Sequence, residues 1–397
     1  MSSPDKIPIV DLRAQYGKIR DEVRRAIDEV VESQQFILGP AVTRFESEMA
    51  AYLNCRHTVG VASGSDALLL ALMALNIGPG DAVVTTPFTF FSTVSSITRL
   101  GATPLLIDID INDYLLSAKA VEQFLTERGK IADGVTTDSK TGLRVKALLP
   151  VHLFGQCAAM KEFVDMARKF RLRIVEDVAQ ACGTRRDVHG EIKFAGTSGD
   201  IGCFSFFPSK NLGGFGDAGL VSTDSQNLAA QLGMLRTHGE SAKYHHDMTG
   251  INSRLDSIQA AVLSIKLKYL EMWCVKRIER AEVYHRLLTA SRLIGNGVVA
   301  IPTVSADKSH VFNNYVIRTE RRDSLKQFLT EHGIQREIYY PVPLHLQKCF
   351  AELRYRPGDF PAAELAASQV LALPLYPELT SDQQATVVDK LQLFYRR

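Results

Sequence analysis

The chain contains 397 residues, of which 46% are hydrophobic and 23% charged, and its formal net charge at pH 7 is +2. Length and composition predict a globular protein with one large domain and a smaller one. The small net charge, without a long basic run, disfavours a nucleic-acid or anionic membrane partner.

The six cysteines show neither a C-x-x-C pair nor a matching histidine spacing, which predicts reduced, mostly buried thiols rather than disulfides or a metal site. Residues 1–6 lack the apolar core of a signal peptide, and no stretch approaches about 18 uncharged apolar residues. A soluble, cytoplasmic protein without a membrane partner is therefore expected.

Two amphipathic helices are predicted near the N-terminus. Residues 18–31 place their apolar side chains on one helical face, namely Ile19, Val23, Ala26, Ile27 and Val30. The pair Gly39-Pro40 ends this region, and residues 42–53 repeat the helical pattern.

A strand, a tight turn and a buried helix are predicted next. Residues 59–62 are strand-like, and residues 67–75 are apolar on nearly every side. Between them, Gly64 permits close approach of the backbone and Ser65 is a good N-cap. The free N–H groups of the first helical turn would suit a phosphate, although a plain capped helix fits the same residues.

Strand-like and helical runs then alternate. The sequence predicts a helix at residues 160–170 and strands at residues 82–85, 104–108, 147–152, 172–177 and 201–207. This alternation predicts an α/β fold with a mostly parallel sheet, helices on both faces and chemistry at the carboxyl ends of the strands. The polar residues 129–141 are predicted to form a surface loop.

Two motifs in this region have more than one interpretation. The rings of Phe88, Phe90 and Phe91 fit core packing, or one of them stacks on a planar cofactor. Residues 214–219 match G-x-G-x-x-G, the dinucleotide-binding fingerprint. They lead into the strand-like residues 220–223 and not into a helix, which disfavours a nicotinamide-dependent oxidoreductase.

The C-terminal part is predicted to form a second domain. A helix over residues 255–269, capped by Asn252 or Ser253, is followed by a charge-rich helix that connects the two domains. The large domain is assigned to residues 1–270 and the small one to residues 271–397.

A lysine and an aspartate lie at the carboxyl ends of two of the predicted strands. Lys210 lies in the turn after residues 201–207, and Asp177 ends the strand of residues 172–177. Alone, Lys210 fits a solvated loop residue. Together the pair suits pyridoxal 5′-phosphate, because a lysine amine forms a Schiff base with this cofactor and a carboxylate pairs with its pyridinium nitrogen.

In their order and spacing, these motifs resemble the DegT/DnrJ/EryC1/StrS family of pyridoxal-phosphate sugar aminotransferases over nearly the whole chain. The resemblance implies the type I fold of pyridoxal-phosphate-dependent transferases, which is aspartate aminotransferase-like. It consists of a large domain with a mostly parallel sheet flanked by helices and a smaller C-terminal α+β domain. The matching segments are residues 9–12, 37–40, 63–68, 150–156, 176–181, 205–212 and 252–256.

The resemblance also implies the cofactor contacts. Lys210 would hold the cofactor and move a proton between cofactor and substrate carbons, and Asp177 would pair with the pyridine nitrogen. The other implied contacts are Gln180 at the phenolic oxygen, Phe90 stacked on the ring, Gly64, Ser65 and Ser205 at the phosphate, and Asn252 at the phosphate of the neighbouring subunit in a homodimer.

The implied reaction is a ping-pong transamination. L-Glutamate converts the cofactor to pyridoxamine 5′-phosphate and leaves as 2-oxoglutarate, and the amine then passes to a keto carbon of a nucleotide-linked sugar. Dehydratases of similar sequence carry histidine where Lys210 stands, so the lysine favours transamination. A pyridoxal-phosphate-binding regulatory protein without turnover is the alternative from another class, and the complete set of cofactor contacts disfavours it.

The predicted substrate contacts lie in two segments. Tyr340 and His345 belong to a stretch that resembles members acting on C3-keto sugars, although Tyr339 stands where those members commonly carry histidine. Amination at C3 is therefore expected, with C4 as the alternative. Arg254 fits either a bidentate contact to a substrate carboxylate or a surface ion pair.

Overall fold

The computed structural model describes residues 6–301, 303–304 and 309–396. Residues 1–5 lie outside the described residues. They belong to the N-terminal segment in which the sequence shows no apolar core of a signal peptide. Within the described residues, no helix is both long enough and apolar enough to cross a membrane.

The strands are short and are distributed along the whole chain. In chain order they are β1 (His57–Val61), β2 (Asp81–Thr85), β3 (Thr103–Leu106), β4 (Gly129–Ala132), β5 (Val135–Asp138), β6 (Arg144–Leu148), β7 (Arg173–Asp177), β8 (Arg185–Val188), β9 (Glu191–Phe194), β10 (Ile201–Ser205), β11 (Gly219–Thr223), β12 (Glu240–Ala242), β13 (His245–His246), β14 (Tyr315–Arg318) and β15 (Val370–Leu373).

The α-helices alternate with these strands in the first half and dominate the second. In chain order they are α1 (Leu12–Ser33), α2 (Pro40–Leu53), α3 (Gly64–Ala74), α4 (Phe91–Arg99), α5 (Ala118–Arg128), α6 (Met160–Phe170), α7 (Gln226–Leu235), α8 (Ser257–Leu267), α9 (Leu270–Ala290), α10 (Arg322–Glu331), α11 (Pro361–Gln369) and α12 (Ser381–Arg396).

One large sheet organises the first half of the chain. Its main strand order is β1-β11-β10-β7-β6-β2-β3. Strands β10, β7, β6, β2 and β3 run parallel, whereas β11 is antiparallel to both of its neighbours. The predicted mostly parallel sheet is thus confirmed. Because parallel strands end at the same edge, Asp177 on β7 and Ser205 on β10 lie near each other.

Helices cover both faces of this sheet and create two apolar cores. Alternate residues of a strand point to opposite faces, so Ile174 joins one core and its neighbour Val175 joins the other. All six cysteines are free thiols, as predicted. The four buried ones are Cys157, Cys182, Cys203 and Cys274.

The prediction of a surface loop over residues 129–141 is wrong. Strands β4 and β5 form an antiparallel hairpin there, and β5 also pairs with β6 at the edge of the sheet. The polar sequence folds as strands because its buried groups are paired. Asp138 is fully buried and accepts 2.8 and 2.5 Å hydrogen bonds from the guanidinium of Arg128, and the Thr136 hydroxyl donates to the carbonyl of Phe170.

Two helix caps also differ from their predictions. Helix α3 is capped by Ser63, whose hydroxyl accepts a 3.1 Å hydrogen bond from the Asp66 amide, so Ser65 lies inside the first turn. Helix α8 begins after Asp256 and not after Asn252 or Ser253. Ser253 is used elsewhere, since its hydroxyl donates to the carboxylate of Asp66 at 2.8 Å.

The C-terminal half contains a third core, formed mainly by α9, α10, α12 and the two-stranded sheet of β14 and β15. Ile7, from the other end of the chain, packs into this core. Its amide donates to the carbonyl of Gly333 at 3.1 Å, and its carbonyl accepts from the amide of Gln335 at 2.9 Å. Helix α9 begins at Leu270, close to the boundary predicted at residues 270/271, which stays a prediction.

Candidate active site

A cavity of about 450 Å³ lies at the carboxyl edge of the large sheet. The sheet contributes the ends of β7 and β10, the N-terminus of α3 contributes one wall, and residues from the C-terminal half close another. The predicted site residues that line it are Gly64, Ser65, Phe90, Asp177, Gln180, Ser205, Lys210, Tyr339 and Tyr340. The structure therefore gathers most of the predicted site in one place.

Lys210 reaches this cavity from the loop that follows β10. The loop turns tightly, since the Lys210 amide donates to the carbonyl of Phe207 at 2.8 Å. Burial lowers the pKa of Lys210 to about 8, and the nearby carboxylate of Asp177 acts in the opposite direction. A substantial fraction of this amine is therefore neutral near pH 7 to 8, which is the form that acts as a nucleophile.

Asp177, at the end of β7, is buried in the wall of the cavity. One carboxylate oxygen accepts a 2.8 Å hydrogen bond from the hydroxyl of Thr93, and the other accepts from the amide of Ala179 at 3.1 Å. Burial raises the pKa of Asp177, while these two donors and the Lys210 amine lower it. A protonated ring nitrogen in the cavity would carry a positive charge, which would further lower the pKa of Asp177 and favour its ionised form.

The neighbouring acid, Glu176, points to the opposite face of β7 and has a structural role. It is fully buried and accepts hydrogen bonds from His152 at 2.9 Å and from the amides of Gly196, Ser198 and Gly199. Although burial opposes it, these donors hold the pKa of Glu176 below its usual value. The alternation of strand side chains therefore assigns only Asp177 to the cavity.

The turn at the start of α3 forms a cradle for an anion. The first amides of a helix have no acceptor within the helix, and the helix dipole adds positive potential there. A Cβ atom on Gly64 would lie 2.5 Å from the Cβ of Ser205, so only glycine allows this close packing. The hydroxyls of Ser65 and Ser92 lie 2.5 Å apart at the same end of the cavity.

The glycine run after Lys210 serves this cradle and does not bind a dinucleotide. Residues 214–219 lead directly into β11, and no helix begins within them. A Cβ atom on Gly219 would collide with the backbone of Ser63, at the turn before α3. The G-x-G-x-x-G match therefore lacks the strand-turn-helix setting that nucleotide binding requires.

Gln180 connects the large sheet to the C-terminal half. Its side-chain oxygen accepts a 2.7 Å hydrogen bond from the amide of Phe154, and its side-chain nitrogen donates to the hydroxyl of Tyr340 at 2.9 Å. Phe154 and Tyr340 both adopt left-handed backbone conformations, with φ of 57° and 60°. Such conformations cost on the order of 1–3 kcal/mol each and are concentrated at functional sites.

Three predicted site residues lie outside the cavity of this chain. Asn252 is exposed and Arg254 is half-buried, on a segment that Ser253 attaches to α3. His345 is buried, donates a 3.0 Å hydrogen bond from its Nε2 atom to the carboxylate of Glu364, and packs edge-on against Phe360. Their roles stay predictions.

Sequence reasoning missed several polar residues at the site, among them Ser92, Thr93 and Asp217. Ser92 and Asp217 line the cavity, and Thr93 contacts the site through Asp177. The sequence did contain an indication for two of them. Ser92 and Thr93 lie in the first turn of α4, directly after Phe90, which was predicted to contact the cofactor ring. A helical assignment of that turn would have brought their hydroxyls to the cavity side.

The donor set fits pyridoxal 5′-phosphate. The partly neutral lysine suits the aldehyde of the cofactor, and the buried carboxylate suits its ring nitrogen. The hydroxyl-lined helix N-terminus suits the phosphate, and the amide donor suits the phenolic oxygen. Phe90 is 59% exposed at the cavity, where its ring could cover a planar group. Among the described residues, no group of three or more histidine, cysteine, aspartate or glutamate side chains is arranged to hold a metal ion.

Comparison with known proteins agrees with this fit. A relative from Geobacillus stearothermophilus, named "Pleiotropic regulatory protein", is 42% identical, covering 98% of this chain and 99% of the relative. A UDP-N-acetyl-3-dehydro-alpha-D-glucosamine 3-aminotransferase from Acidithiobacillus ferrooxidans is 40% identical, covering 98% and 97%. The crystal structure of S. venezuelae DesV, in complex with a ketimine intermediate, has a TM-score of 0.88 at 39% identity, covering 99% of both chains.

The sequence profile of one family matches residues 17–392, which is nearly the whole chain. This match and the relatives above confirm the family and the fold that the sequence motifs predicted. The chain belongs to the DegT/DnrJ/EryC1/StrS aminotransferase family.

Proposed function

We propose that this protein transfers the amino group of L-glutamate to the C3 keto carbon of a nucleotide-linked sugar, with pyridoxal 5′-phosphate as cofactor. The observation that carries the proposal is the placement of Lys210 and Asp177 in one cavity at the carboxyl edge of the sheet. Family membership confirms the predicted aminotransferase activity and its cofactor.

The cofactor, when bound, supplies an electron sink that stabilises negative charge at the reacting carbon. The residues of the chain supply the rest. Asp177 holds a proton on the ring nitrogen by its charge, and Thr93 fixes the carboxylate in place. The Nζ atom of Lys210 takes and returns the proton at the reacting carbon, for which its lowered pKa near 8 is suited.

The choice of C3 over C4 rests on similarity. The Acidithiobacillus relative is named for amination at position 3 of a UDP-linked sugar, at 40% identity over nearly the whole chain. Tyr339 and Tyr340, from the segment that resembles C3-specific members, line the cavity beside the cofactor residues. Amination at C4 is the alternative, and a panel of 3-keto and 4-keto sugar substrates distinguishes the two reactions.

A homodimer with shared active sites is part of the proposal. Three side chains are exposed in the single chain, namely Asn252, Phe90 and Phe207. The rings of Phe90 and Phe207 line the cavity itself. In the proposed dimer the rings are covered and Asn252 contacts the phosphate in the partner's cavity. Within the described part of the chain Arg254 makes no ion pair, which favours a substrate carboxylate as its partner.

A regulatory protein without turnover is the second candidate, because the Geobacillus relative is named as a regulator. One experiment separates the two. Purified protein loaded with the cofactor should be yellow, lose that colour with L-glutamate and release 2-oxoglutarate. A panel of UDP- and dTDP-linked 3-keto and 4-keto sugars should then restore the colour selectively. Glutamate-insensitive colour, or turnover by Lys210→Ala, would contradict the proposal.

A further inference from the structure

Tyr340 is held rigidly where it enters the cavity. Its ring stacks on Phe154, with centroids 6.2 Å apart and planes 17° apart, and meets the edge of Phe88 at 5.6 Å. The left-handed backbone at Tyr340, with φ of 60°, directs the side chain into this aromatic cluster. The hydroxyl is therefore fixed at one point of the cavity wall.

The orientation of Gln180 determines what the Tyr340 hydroxyl does. The side-chain oxygen of Gln180 already accepts the Phe154 amide at 2.7 Å, so the side-chain nitrogen must face Tyr340. That nitrogen can only donate, and the Tyr340 oxygen therefore accepts at 2.9 Å. The proton of the Tyr340 hydroxyl is not used in this contact.

Two donor hydrogens thus remain at adjacent points of the cavity. One is the second N–H of the Gln180 amide, and the other is the O–H of Tyr340. Burial and the nearby Asp177 raise the pKa of Tyr340, so the hydroxyl keeps its proton. Within the described part of the chain, neither hydrogen has an acceptor, and the oxygens of Asp177 already accept from Thr93 and Ala179.

We propose that Tyr340 is a second donor to the phenolic oxygen of the bound cofactor, acting beside Gln180 and fixing its orientation. Two convergent neutral donors suit an oxygen that carries negative charge. Tyr340 was expected from sequence to contact the sugar, and this assignment gives its hydroxyl a role at the cofactor instead. The proposal rests on the proposed function, because pyridoxal phosphate must occupy the cavity.

The proposal fixes the direction of a measurable shift. The nitrogen that Lys210 contributes to the linkage is positively charged while it holds its proton, and it then offsets the negative charge of the phenolic oxygen. Once this nitrogen has lost its proton, the charge of the oxygen is no longer offset. Donors to that oxygen therefore stabilise the deprotonated form and lower the pKa of the nitrogen in the lysine–cofactor linkage. Removal of one donor should raise this pKa.

The test is a pH titration of the visible absorbance of the purified, cofactor-loaded protein. In Tyr340→Phe the pKa of the linkage should rise by about one unit, as expected for the loss of one hydrogen bond to a charged group. Tyr339→Phe is the matched control, because Tyr339 lines the same cavity but, among the described residues, its hydroxyl makes no hydrogen bond with Gln180. Its titration should coincide with that of the wild type.

An unchanged pKa in Tyr340→Phe, or an equal rise in Tyr339→Phe, overturns the proposal. If Tyr340→Phe does not retain the cofactor, the full chain labelled with 3-fluorotyrosine replaces it. The more acidic hydroxyls should then lower the pKa of the linkage, and an unshifted titration overturns the proposal equally. A wild-type protein that takes up no cofactor, or a Lys210→Ala protein with the same titrating band, refutes the proposed function instead.

Discussion

At the scale of single residues, the site depends on how Asp177 is kept ionised in a buried place. Burial alone raises its pKa, and an uncharged carboxyl would not hold a proton on the cofactor nitrogen. The hydroxyl of Thr93 and the amide of Ala179 counter this effect in part, with one hydrogen bond to each oxygen, although the pKa of Asp177 stays above its ordinary value. Thr93 is thus a positioning residue that acts through Asp177.

Thr93→Val should test this role, because valine keeps the shape of threonine and removes the donor. A hydrogen bond to a charged group is worth about 1.5–3 kcal/mol, so the cofactor should bind about tenfold to a hundredfold more weakly. Equilibrium titration of the apoprotein with pyridoxal phosphate measures the change. Thr93→Ser, which retains the hydroxyl, should stay near the wild type, and equal losses in both variants would assign Thr93 to packing alone.

The pKa of Lys210 predicts how cofactor uptake depends on pH. The neutral amine reacts, and its folded-state pKa of about 8 lies below the ordinary 10.5. The uptake rate of the apoprotein should therefore rise with pH, level off above about pH 8, and at pH 7 exceed that of an unperturbed lysine by about three-hundredfold. Stopped-flow absorbance measures this rate. A midpoint above pH 10 would show that burial does not lower the pKa.

The residues that carry charge or a reactive amine could be predicted from the sequence, whereas their hydrogen-bond partners could not. Lys210 follows an apolar strand and Asp177 ends another, so their position at the sheet edge follows from the strand pattern. Thr93 is 84 positions from Asp177, and Tyr340 is 160 positions from Gln180. Only the three-dimensional arrangement of strands and loops brings such partners together.

At the scale of elements, the N-terminus of α3 and the end of β10 function as one phosphate cradle. Gly64→Ala should disrupt it, because the added methyl would lie 2.5 Å from the Cβ of Ser205. The two elements must separate, so cofactor affinity should fall by at least about tenfold while the sheet remains folded. Titration with pyridoxal phosphate and with pyridoxal, which lacks the phosphate, measures the effect.

Gly233→Ala is the control for that experiment. Gly233 lies inside α7, where an added Cβ atom meets nothing within 4 Å. Alanine should stabilise this helix by about 1 kcal/mol and leave cofactor affinity unchanged. If Gly64→Ala weakens pyridoxal and pyridoxal phosphate to the same extent, the cradle does not bind the phosphate.

Elements with a regular apolar pattern were predictable, and elements stabilised by paired polar groups were not. Helix α6 covers Met160–Phe170, as predicted, because its apolar residues recur along one face. The hairpin of β4 and β5 was missed because its inward side chains include Thr136 and Asp138. Their partners, the carbonyl of Phe170 and the guanidinium of Arg128, are not evident from local sequence.

At the scale of the whole molecule, the proposed dimer can be tested by complementation. If Asn252 serves the partner's cavity, a heterodimer of Lys210→Ala and Asn252→Ala subunits contains one site with both residues intact. Each homodimer should be inactive or weak. A verified heterodimer should recover about half of the activity of the wild-type dimer, and an unseparated one-to-one mixture about a quarter, because about half of its dimers are mixed. Recovery is measured as 2-oxoglutarate release. No recovery by a verified heterodimer would place Asn252 in the cavity of its own chain.

The contact of Ile7 with Gly333 and Gln335 has a consequence for synthesis on the ribosome. The strands of the large sheet are all made by Thr223, so this sheet can assemble while the C-terminal half is still being translated. The third core needs Ile7, which is made before every strand of the large sheet, together with α12, which is made after all of them. Tyr340 belongs to the late half as well. The nascent chain therefore completes its cofactor site only after Tyr340 has been made, and until α12 follows, the segment around Ile7 has no complete third core to pack into.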